Sequence, residues 1–354
     1  MSRKETEEKT AIILVNWKDY ARKFLDDCIK SIREQDGNFK IFIIDNESSD
    51  ETLNYLKSKV GEAEIIPNEK NDGFARGNNI GIERALEEDF RYIALFNLDI
   101  VLEKNCLAEM IKAIRRDAKI GVVQARMMLH DRPDKINSIG NDTHFLGFGY
   151  CRGYQEDYET QKLEEGQNIF YPSGAACLFR AEVLREVGLF DEEFWMYNED
   201  QDIGWRIWLA GFRCVLSSQA VVYHKYEFSR SASKYYWLDR NRILVMLKNY
   251  HFLTIFLIAP IFIFMELGLI LYSLKTAWLG EKMRAWKYFF KLKNWRYILG
   301  ARREIQKKRV RREREIIKMI QGKIYYQEID DWKLKFINPF FDFYWRIVRW
   351  FIIF

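Results

Sequence analysis

The chain has five cysteines in 354 residues, an odd number, and no two of them are spaced CxxC. That argues against a zinc knuckle and a disulfide framework. Cys28, Cys106, Cys151, Cys177 and Cys214 read as reduced, buried thiols in a cytosolic setting. Neither GxGxxG nor GxxxxGK[ST] occurs, so the usual dinucleotide and Walker-type loops are missing. The opening MSRKETEEKT has no apolar core, so it is not expected to act as a secretory signal, and the body is expected in the cytoplasm. There is no internal repeat and no low-complexity linker.

What charge there is lies unevenly. The net charge is +5, yet residues 275–354 carry 21 Lys/Arg against 8 Asp/Glu, which leaves the first 274 residues acidic. A mildly acidic body with a basic tail is unlike a nucleic-acid enzyme with a basic cleft. It suits a tail that meets an anionic membrane surface, and nucleic acid is not expected as a partner.

Short apolar runs alternate with helical patterns over the first hundred residues. AIILVNW, FKIFIIDN, AEIIPN and RYIALFNLD read as strands. DYARKFLDDCIKSIREQ, ETLNYLKSKV and NIGIERALEEDF space their apolar residues as amphipathic helices. This alternation predicts a mainly parallel, Rossmann-like α/β sheet with helices on both faces. Ligands of such sheets gather beyond the carboxyl ends of the strands, where Asn16, Asp45, Asn71 and Asp99 all fall. Residues from about 120 to 170 read as strands and loops that complete the sheet.

Several segments could carry chemistry. Asn97-Leu98-Asp99 ends an apolar strand and can present oxygen ligands to a hard cation such as Mg2+ or Mn2+, although an Asp there also serves as a turn former. In NDGFARGNNIG, Gly73 and Gly77 permit close backbone approach and Arg76 offers a charge for phosphate. Asn78 and Asn79 open the following helix there, so the stretch also reads as a simple capped loop. Asp45 can accept from a pyrimidine imide N–H, whereas Ser48, Ser49 and Asp50 read as the cap of the next helix. The acidic segment EFWMYNEDQDIGWR places Glu199, Asp200 and Asp202 at the head of a helix. One of the adjacent pair Glu199 and Asp200 is expected to face an attacking hydroxyl as a base. His224, ending AVVYH, reads either as a metal ligand or as a satisfied strand-end histidine.

Taken in order, VNW, IIDNESSD, NDGFARGNN, FNLD, SGAACLFR, GLFDEEFWMYNEDQDIGWR and VVYHK resemble the family 2 glycosyltransferases of the GT-A fold, in particular their rhamnosyltransferase-like branch. The resemblance runs from about residue 10 to 250. It implies a nucleotide-diphosphate sugar donor, dTDP- or UDP-linked, a divalent metal, and inversion at the anomeric carbon. By motif position it implies Asp45 on the base, Asn97 and Asp99 as the DXD equivalent, Asp200 as the base with Glu199 beside it, and His224 as a metal ligand. Asn16, Asn71, Gly73, Arg76 and Asn79 would line the donor side. Gly174, Ala175 and Trp195 would line the acceptor side. Three positions depart from the pattern: Lys18 replaces a common Asn, Leu98 a common Pro, and Asn97 the first Asp of a strict DXD, removing one negative charge. The processive members' QxxRW is missing, so single additions are expected.

The tail differs in character, and the chain divides into a catalytic region 1–250 and a membrane-associated helical region 251–354. FLTIFLIAPIFIFMELGLILYSL is long enough to cross a bilayer. Pro260 and Glu266 interrupt it and both flanks are basic, which favours an interfacial or re-entrant hairpin over a single span. In the last helix Asp342, Arg346 and Arg349 share one stripe of an otherwise apolar sequence. That helix should lie flat with its arginines toward headgroups; the alternative is a core helix packed on the body. The expected protein is a non-processive transferase, peripheral or monotopic on the cytoplasmic face of a membrane, acting on a lipid-linked or cell-surface glycan. A sugar-phosphate nucleotidyltransferase or an inactive scaffold of the same fold are the alternatives.

Overall fold

The computed structural model describes residues 9–226, 232–276, 278–325 and 332–354. Its first half is the expected alternation: β1 (Thr10–Trp17), α1 (Tyr20–Arg33), β2 (Phe39–Asn46), α2 (Asp50–Val60), β3 (Glu64–Asn68), α3 (Gly73–Glu87) and β4 (Tyr92–Phe96). There follow β5 (Ile100–Leu102), α4 (Cys106–Arg115), β6 (Ile120–Leu129), β7 (Arg132–Ser138), β8 (Asn141–Thr143) and β9 (Gly149–Cys151). Next come β10 (Ala176–Arg180), α5 (Ala181–Val187), α6 (Glu199–Leu209) and β11 (Arg213–His224). The remainder is helical: α7 (Ala232–Asn249), α8 (Phe252–Lys275), α9 (Leu279–Phe289), α10 (Leu292–Lys307), α11 (Glu313–Ile316) and α12 (Trp332–Phe351).

The main sheet runs β3-β2-β1-β4-β10-β6-β11-β5, with β7 on the flank of β6. β3, β2, β1 and β4 are mutually parallel, because each return passes through a helix laid on one face. β10 enters antiparallel between β4 and β6, which makes the second half mixed. Helix α1 buries Phe24, Leu25, Cys28, Ile29 and Ile32, one stripe at helical spacing, against one face of the sheet. Helix α3 covers the other face. It can lie close because Gly77 and Gly81 leave no side chain there: a Cβ would stand 2.9 Å from Val15 and 2.7 Å from Ile13. Four of the cysteines are buried and Cys151 is half-buried, and all five are free thiols.

The hydrophobic cluster on that second face runs on into the C-terminal helices, from Ile13 through Phe145 and Trp205 to Trp345 and Ile352. Two expectations for the tail are revised. The apolar segment is one unbroken helix, α8, with Pro260 inside it, and not a hairpin. At 24 residues it is long and apolar enough to cross a membrane. Glu266 does not interrupt it, because its carboxylate is turned inward to Arg242 of α7 and Lys282 of α9. Helix α12 is neither purely interfacial nor purely core. Phe341, Trp345, Val348 and Ile352 are buried on the body, while Phe336, Phe340, Phe343, Ile347 and Trp350 are exposed. Tyr344 of α12 donates to the Leu257 carbonyl of α8, so the two helices pack together. Phe256, Phe264, Leu267 and Leu271 of α8 are exposed as well.

Candidate active site

Asn16 and Asp45 are register partners at the ends of β1 and β2. Asn16 Nδ2 donates to Asp45 Oδ1 at 2.7 Å, and its Oδ1 accepts from the Ala21 amide at 2.8 Å, so it ties the start of α1 to Asp45. Asn16 is fully buried. It positions Asp45 and offers no atom of its own to a ligand. Ser48 belongs to this cluster and not to the cap as expected: its hydroxyl donates to Asp45 Oδ1. Ser49 is the α2 cap, accepting from Thr52 N. Lys18, where the resembled family commonly has Asn, takes φ +49, a left-handed backbone that Asn adopts at less cost.

The glycine-bearing stretch also differs from its reading. Helix α3 starts at Gly73, so Asn78 and Asn79 lie within it instead of opening it. Asn71 Oδ1 accepts from the Gly73 amide at 3.1 Å. Gly73 has φ +83, and a Cβ there would meet the Trp195 carbonyl at 2.4 Å. Trp195 O in turn accepts from the Ala75 amide. The close approach that Gly73 permits is therefore to Trp195. Arg76 is paired with Glu83 at 3.0 Å and Glu192 at 3.1 Å, which neutralises the charge expected to meet phosphate. Asn79 is buried and its amide is spent on Phe190: Nδ2 donates to the carbonyl at 2.9 Å and Oδ1 accepts from the amide at 3.1 Å.

Asp99 and His224 are brought together from distant parts of the chain. His224, at the end of β11, pairs in register with Ile100 of β5. Its Nε2 lies 3.3 Å from Asp99 Oδ1, and its Nδ1 lies 2.9 Å from Asn137 Oδ1. The Tyr20 hydroxyl donates to Asp99 Oδ2 at 2.7 Å. Burial alone would raise the pKa of Asp99, but His224 and Tyr20 outweigh it and hold the carboxyl below its usual range. Asp99 Oδ1 is buried without a hydrogen-bond donor. That orphaned oxygen beside an imidazole nitrogen fits one face of a hard cation. Among the described residues no group of three His, Cys, Asp or Glu side chains forms a cage, so phosphate and water would complete the shell.

The turn before β10 links this pair to the acidic helix. The Asn97 amide donates to the Ala175 carbonyl at 2.9 Å, and the neighbouring Gly174 amide bonds the Asp200 carboxylate. A Cβ on Gly174 would stand 2.9 Å from Phe74. Asp200 lies in the first turn of α6, and its Oδ1 also accepts from the Gln201 amide at 2.8 Å. Burial is the largest influence on Asp200 and pushes its pKa up to about 6, while the amides of Gln201 and Gly174 pull the other way. Glu199 is more deeply buried, and burial plus the charges of Asp200 and Asp202 push it well above the carboxylate range. Both adjacent carboxyls are thereby pushed up, Asp200 by burial and Glu199 by burial together with the charges of its acidic neighbours. Asp202 is structural, fully buried against Arg206 at 2.9 Å and Lys248 at 2.9 Å.

The segment entering α6 is strained. Trp195, Tyr197 and Asn198 have φ of +61, +69 and +64. Helix α7 holds it: Asn241 Nδ2 lies 3.0, 2.8 and 2.7 Å from the carbonyls of Phe194, Met196 and Tyr197. Trp237 stacks on Trp195 with centroids 4.8 Å apart. Asn241, Lys248 and Trp237 escaped the sequence reading; the polar DRNR in an otherwise apolar helix was the available signal.

The profile described as glycosyl transferase family 2 matches residues 12–188, half of the chain. The low-salt glycan biosynthesis hexosyltransferase Agl10 of Haloferax volcanii is 22% identical over 199 residues, 55% of this chain and 60% of Agl10. The N-acetylglucosaminyl-diphospho-decaprenol L-rhamnosyltransferase of Mycobacterium tuberculosis is 37% identical over 70 residues, 19% of this chain and 23% of that protein. The chain thus spans less than two thirds of either relative. Among solved structures, GalNAc-T7 with UDP, GalNAc and Mn2+ superposes with a TM-score of 0.56 at 16% identity, over 69% of this chain and 48% of that one. S. aureus TarS superposes with a TM-score of 0.50 at 16% identity, over 96% of this chain and 53% of its own. These likenesses are of fold, and the fold is GT-A. With the motif-bearing strands and the acidic helix in this arrangement, the chain belongs to glycosyl transferase family 2.

Proposed function

We propose that this glycosyltransferase moves one sugar per encounter from a nucleotide-diphosphate donor to a lipid-linked or cell-surface glycan, with inversion at the anomeric carbon. The observation that carries the reading is the placement of Asp200 in the first turn of α6, with its Oδ1 on the Gln201 amide and the Gly174 turn beside it, where burial pushes its pKa up to about 6. Asp200 takes the proton of the acceptor hydroxyl as that oxygen bonds the anomeric carbon. The bond to the diphosphate breaks on the opposite face, and its electron pair leaves with the nucleotide. Burial and the charge of Asp200 disfavour a second negative charge on Glu199 beside it. Asp45, fixed by Asn16 and Ser48, receives the imide of the base, which suits a uracil or thymine nucleotide. Asn71 and Asn97 stand at the same strand edge, toward the donor. Asp99 and His224 would hold a divalent ion, which when bound neutralises the departing diphosphate. Trp195, backed by Trp237, forms the acceptor side with Gly174 and Ala175.

The name of the mycobacterial relative describes a decaprenol-linked acceptor, and that of Agl10 a glycan pathway. A lipid-linked acceptor would explain why residues 251–354 present exposed apolar helices beside a basic surface, seated on the cytoplasmic face of a membrane. Rhamnose is the donor sugar favoured by the branch resembled. Incubation with a panel of dTDP- and UDP-sugars and lipid-diphosphate acceptors, read by mass spectrometry and by NMR of the new anomeric centre, tests this. One added residue of inverted configuration is expected. A retained configuration, or product from no pair in the panel, counts against it.

A further inference from the structure

A cavity of about 460 Å3 opens between residues 318–322 and the outer side of α12. Its charged lining is Lys318, Arg346 and Arg349 against one carboxylate, Asp342, with Gln321 and Trp350 beside them. Asp342 is committed to Arg346 at 2.7 Å. Among the described residues no ion pair or hydrogen bond engages Lys318 or Arg349, so two positive charges remain uncompensated. The floor is rigid. Trp345 is buried and donates to the Ile320 carbonyl at 3.0 Å, and a Cβ on Gly322 would lie 2.9 Å from Asp342 Cα.

The position of the cavity decides what it suits. Trp350 at its rim is 87% exposed, and Phe343 and Ile347 on the same helix are exposed too. Cations therefore meet apolar side chains at one border. A free anion satisfies only the first, whereas an amphiphile with a phosphate next to its acyl chains satisfies both. We propose that this pocket receives the phosphodiester headgroup of an anionic phospholipid, with Trp350 at the boundary between headgroup and acyl chain. The proposal rests on the membrane-seated reading of residues 251–354 and names the lipid class that seats it. It also ties the seat to the chemistry. The Gln321 amide donates to the Thr143 carbonyl at 2.9 Å, and Gln201 Nε2 donates to the Thr143 hydroxyl at 2.9 Å, next to Asp200. Lipid bound at Gln321 thus sets the height of the catalytic carboxylate above the surface.

Vesicle flotation of the full chain tests this, comparing phosphatidylcholine alone with a phosphatidylcholine–phosphatidylglycerol mixture at physiological salt. Wild type should prefer the anionic vesicles. The Lys318→Gln/Arg349→Gln variant should lose about 25-fold of that preference, taking about fivefold per cation, with binding to neutral vesicles unchanged. A control of equal charge, Arg303→Gln/Lys307→Gln on α10, should lose distinctly less. Equal losses in the two variants, or equal binding of wild type to both vesicles, overturns the pocket while leaving membrane seating intact. Release of the protein from anionic vesicles by millimolar glycerol phosphate would show that free phosphate suffices and overturn the lipid assignment. Failure of wild type to float with either vesicle overturns the membrane reading itself.

Discussion

His224 stands with Nε2 3.3 Å from Asp99 Oδ1, and Asn137 holds the opposite ring nitrogen at 2.9 Å. The imidazole is thus oriented from behind toward a carboxylate oxygen that has no donor of its own. Removing the carboxylate, in Asp99→Ala, should abolish metal-dependent UDP or dTDP binding. Removing the orienter, in Asn137→Ala, should weaken it by about 10- to 100-fold. Calorimetric titration of the nucleotide with Mn2+ and with EDTA checks both. Nucleotide affinity indifferent to EDTA would remove the metal from the account.

The pKa of Asp200, raised to about 6 mainly by burial, has opposite consequences for rate and stability. As a base Asp200 must be ionised, so kcat/KM should fall about tenfold per pH unit below pH 6 and level off above it. For stability, a carboxyl with a raised folded-state pKa holds its proton more tightly when folded. Its contribution therefore grows as pH falls from about 6 toward 4 and is lost as pH rises through 6. Asp200→Asn removes the cost of ionising a buried group, so it should melt at or above wild type at pH 7. A rate profile flat from pH 5 to 8 would contradict the assignment.

Gly73 is constrained twice, by φ +83 and by the Trp195 carbonyl 2.4 Å from where a Cβ would sit. Gly73→Ala should cost about 1–3 kcal/mol and displace Trp195, raising the acceptor KM more than the donor KM. Steady-state kinetics in both substrates, with a denaturant melt, measure this. An unchanged acceptor KM would uncouple Trp195 from the acceptor.

Asp239, Arg242, Glu266 and Lys282 form a buried network joining α7, α8 and α9. Glu266→Ala leaves two buried cations facing one carboxylate, and should cost about 3–5 kcal/mol. Equilibrium denaturation reads the loss. A change below about 1 kcal/mol would mean that α8 is not clamped at its midpoint.

Helix α12 should respond differently on its two sides. Trp345→Ala removes a buried ring stacked on Phe145 at 5.0 Å and should cost about 3–5 kcal/mol. Trp350→Ser, on the exposed side, should leave the melt unchanged and make the protein easier to strip from membranes with salt. The unaltered chain should resist a high-salt wash and need detergent for release. Complete release by salt alone would reassign the apolar face.

The first four strands and the gathering of Asn16, Asp45, Asn71 and Asp99 at one edge were legible in the sequence, because each apolar run ends abruptly in a polar residue. The antiparallel entry of β10 was not, since strand partners are chosen by packing across the whole sheet. The role of Gly73 depends on Trp195, more than a hundred residues away, and no local pattern signals it. Helix α8 hid its inner face because apolar residues surround it on all sides, so Glu266 looked like an interruption until Arg242 and Lys282 were seen beside it. DRNR marked Asn241 as a polar residue worth noting, but not its clamp on three carbonyls, which is made to backbone atoms of a strained segment.

The central claim, that Asp200 is the base of the transfer, is tested most directly by turnover of Asp200→Asn at saturating donor, with donor affinity measured on the same preparation. The substitution keeps volume and removes basicity. Turnover should drop by at least about 100-fold, while the dissociation constant of the donor stays within about threefold of wild type. Near-normal turnover with intact donor binding would contradict the account and return Glu199 to consideration as the base.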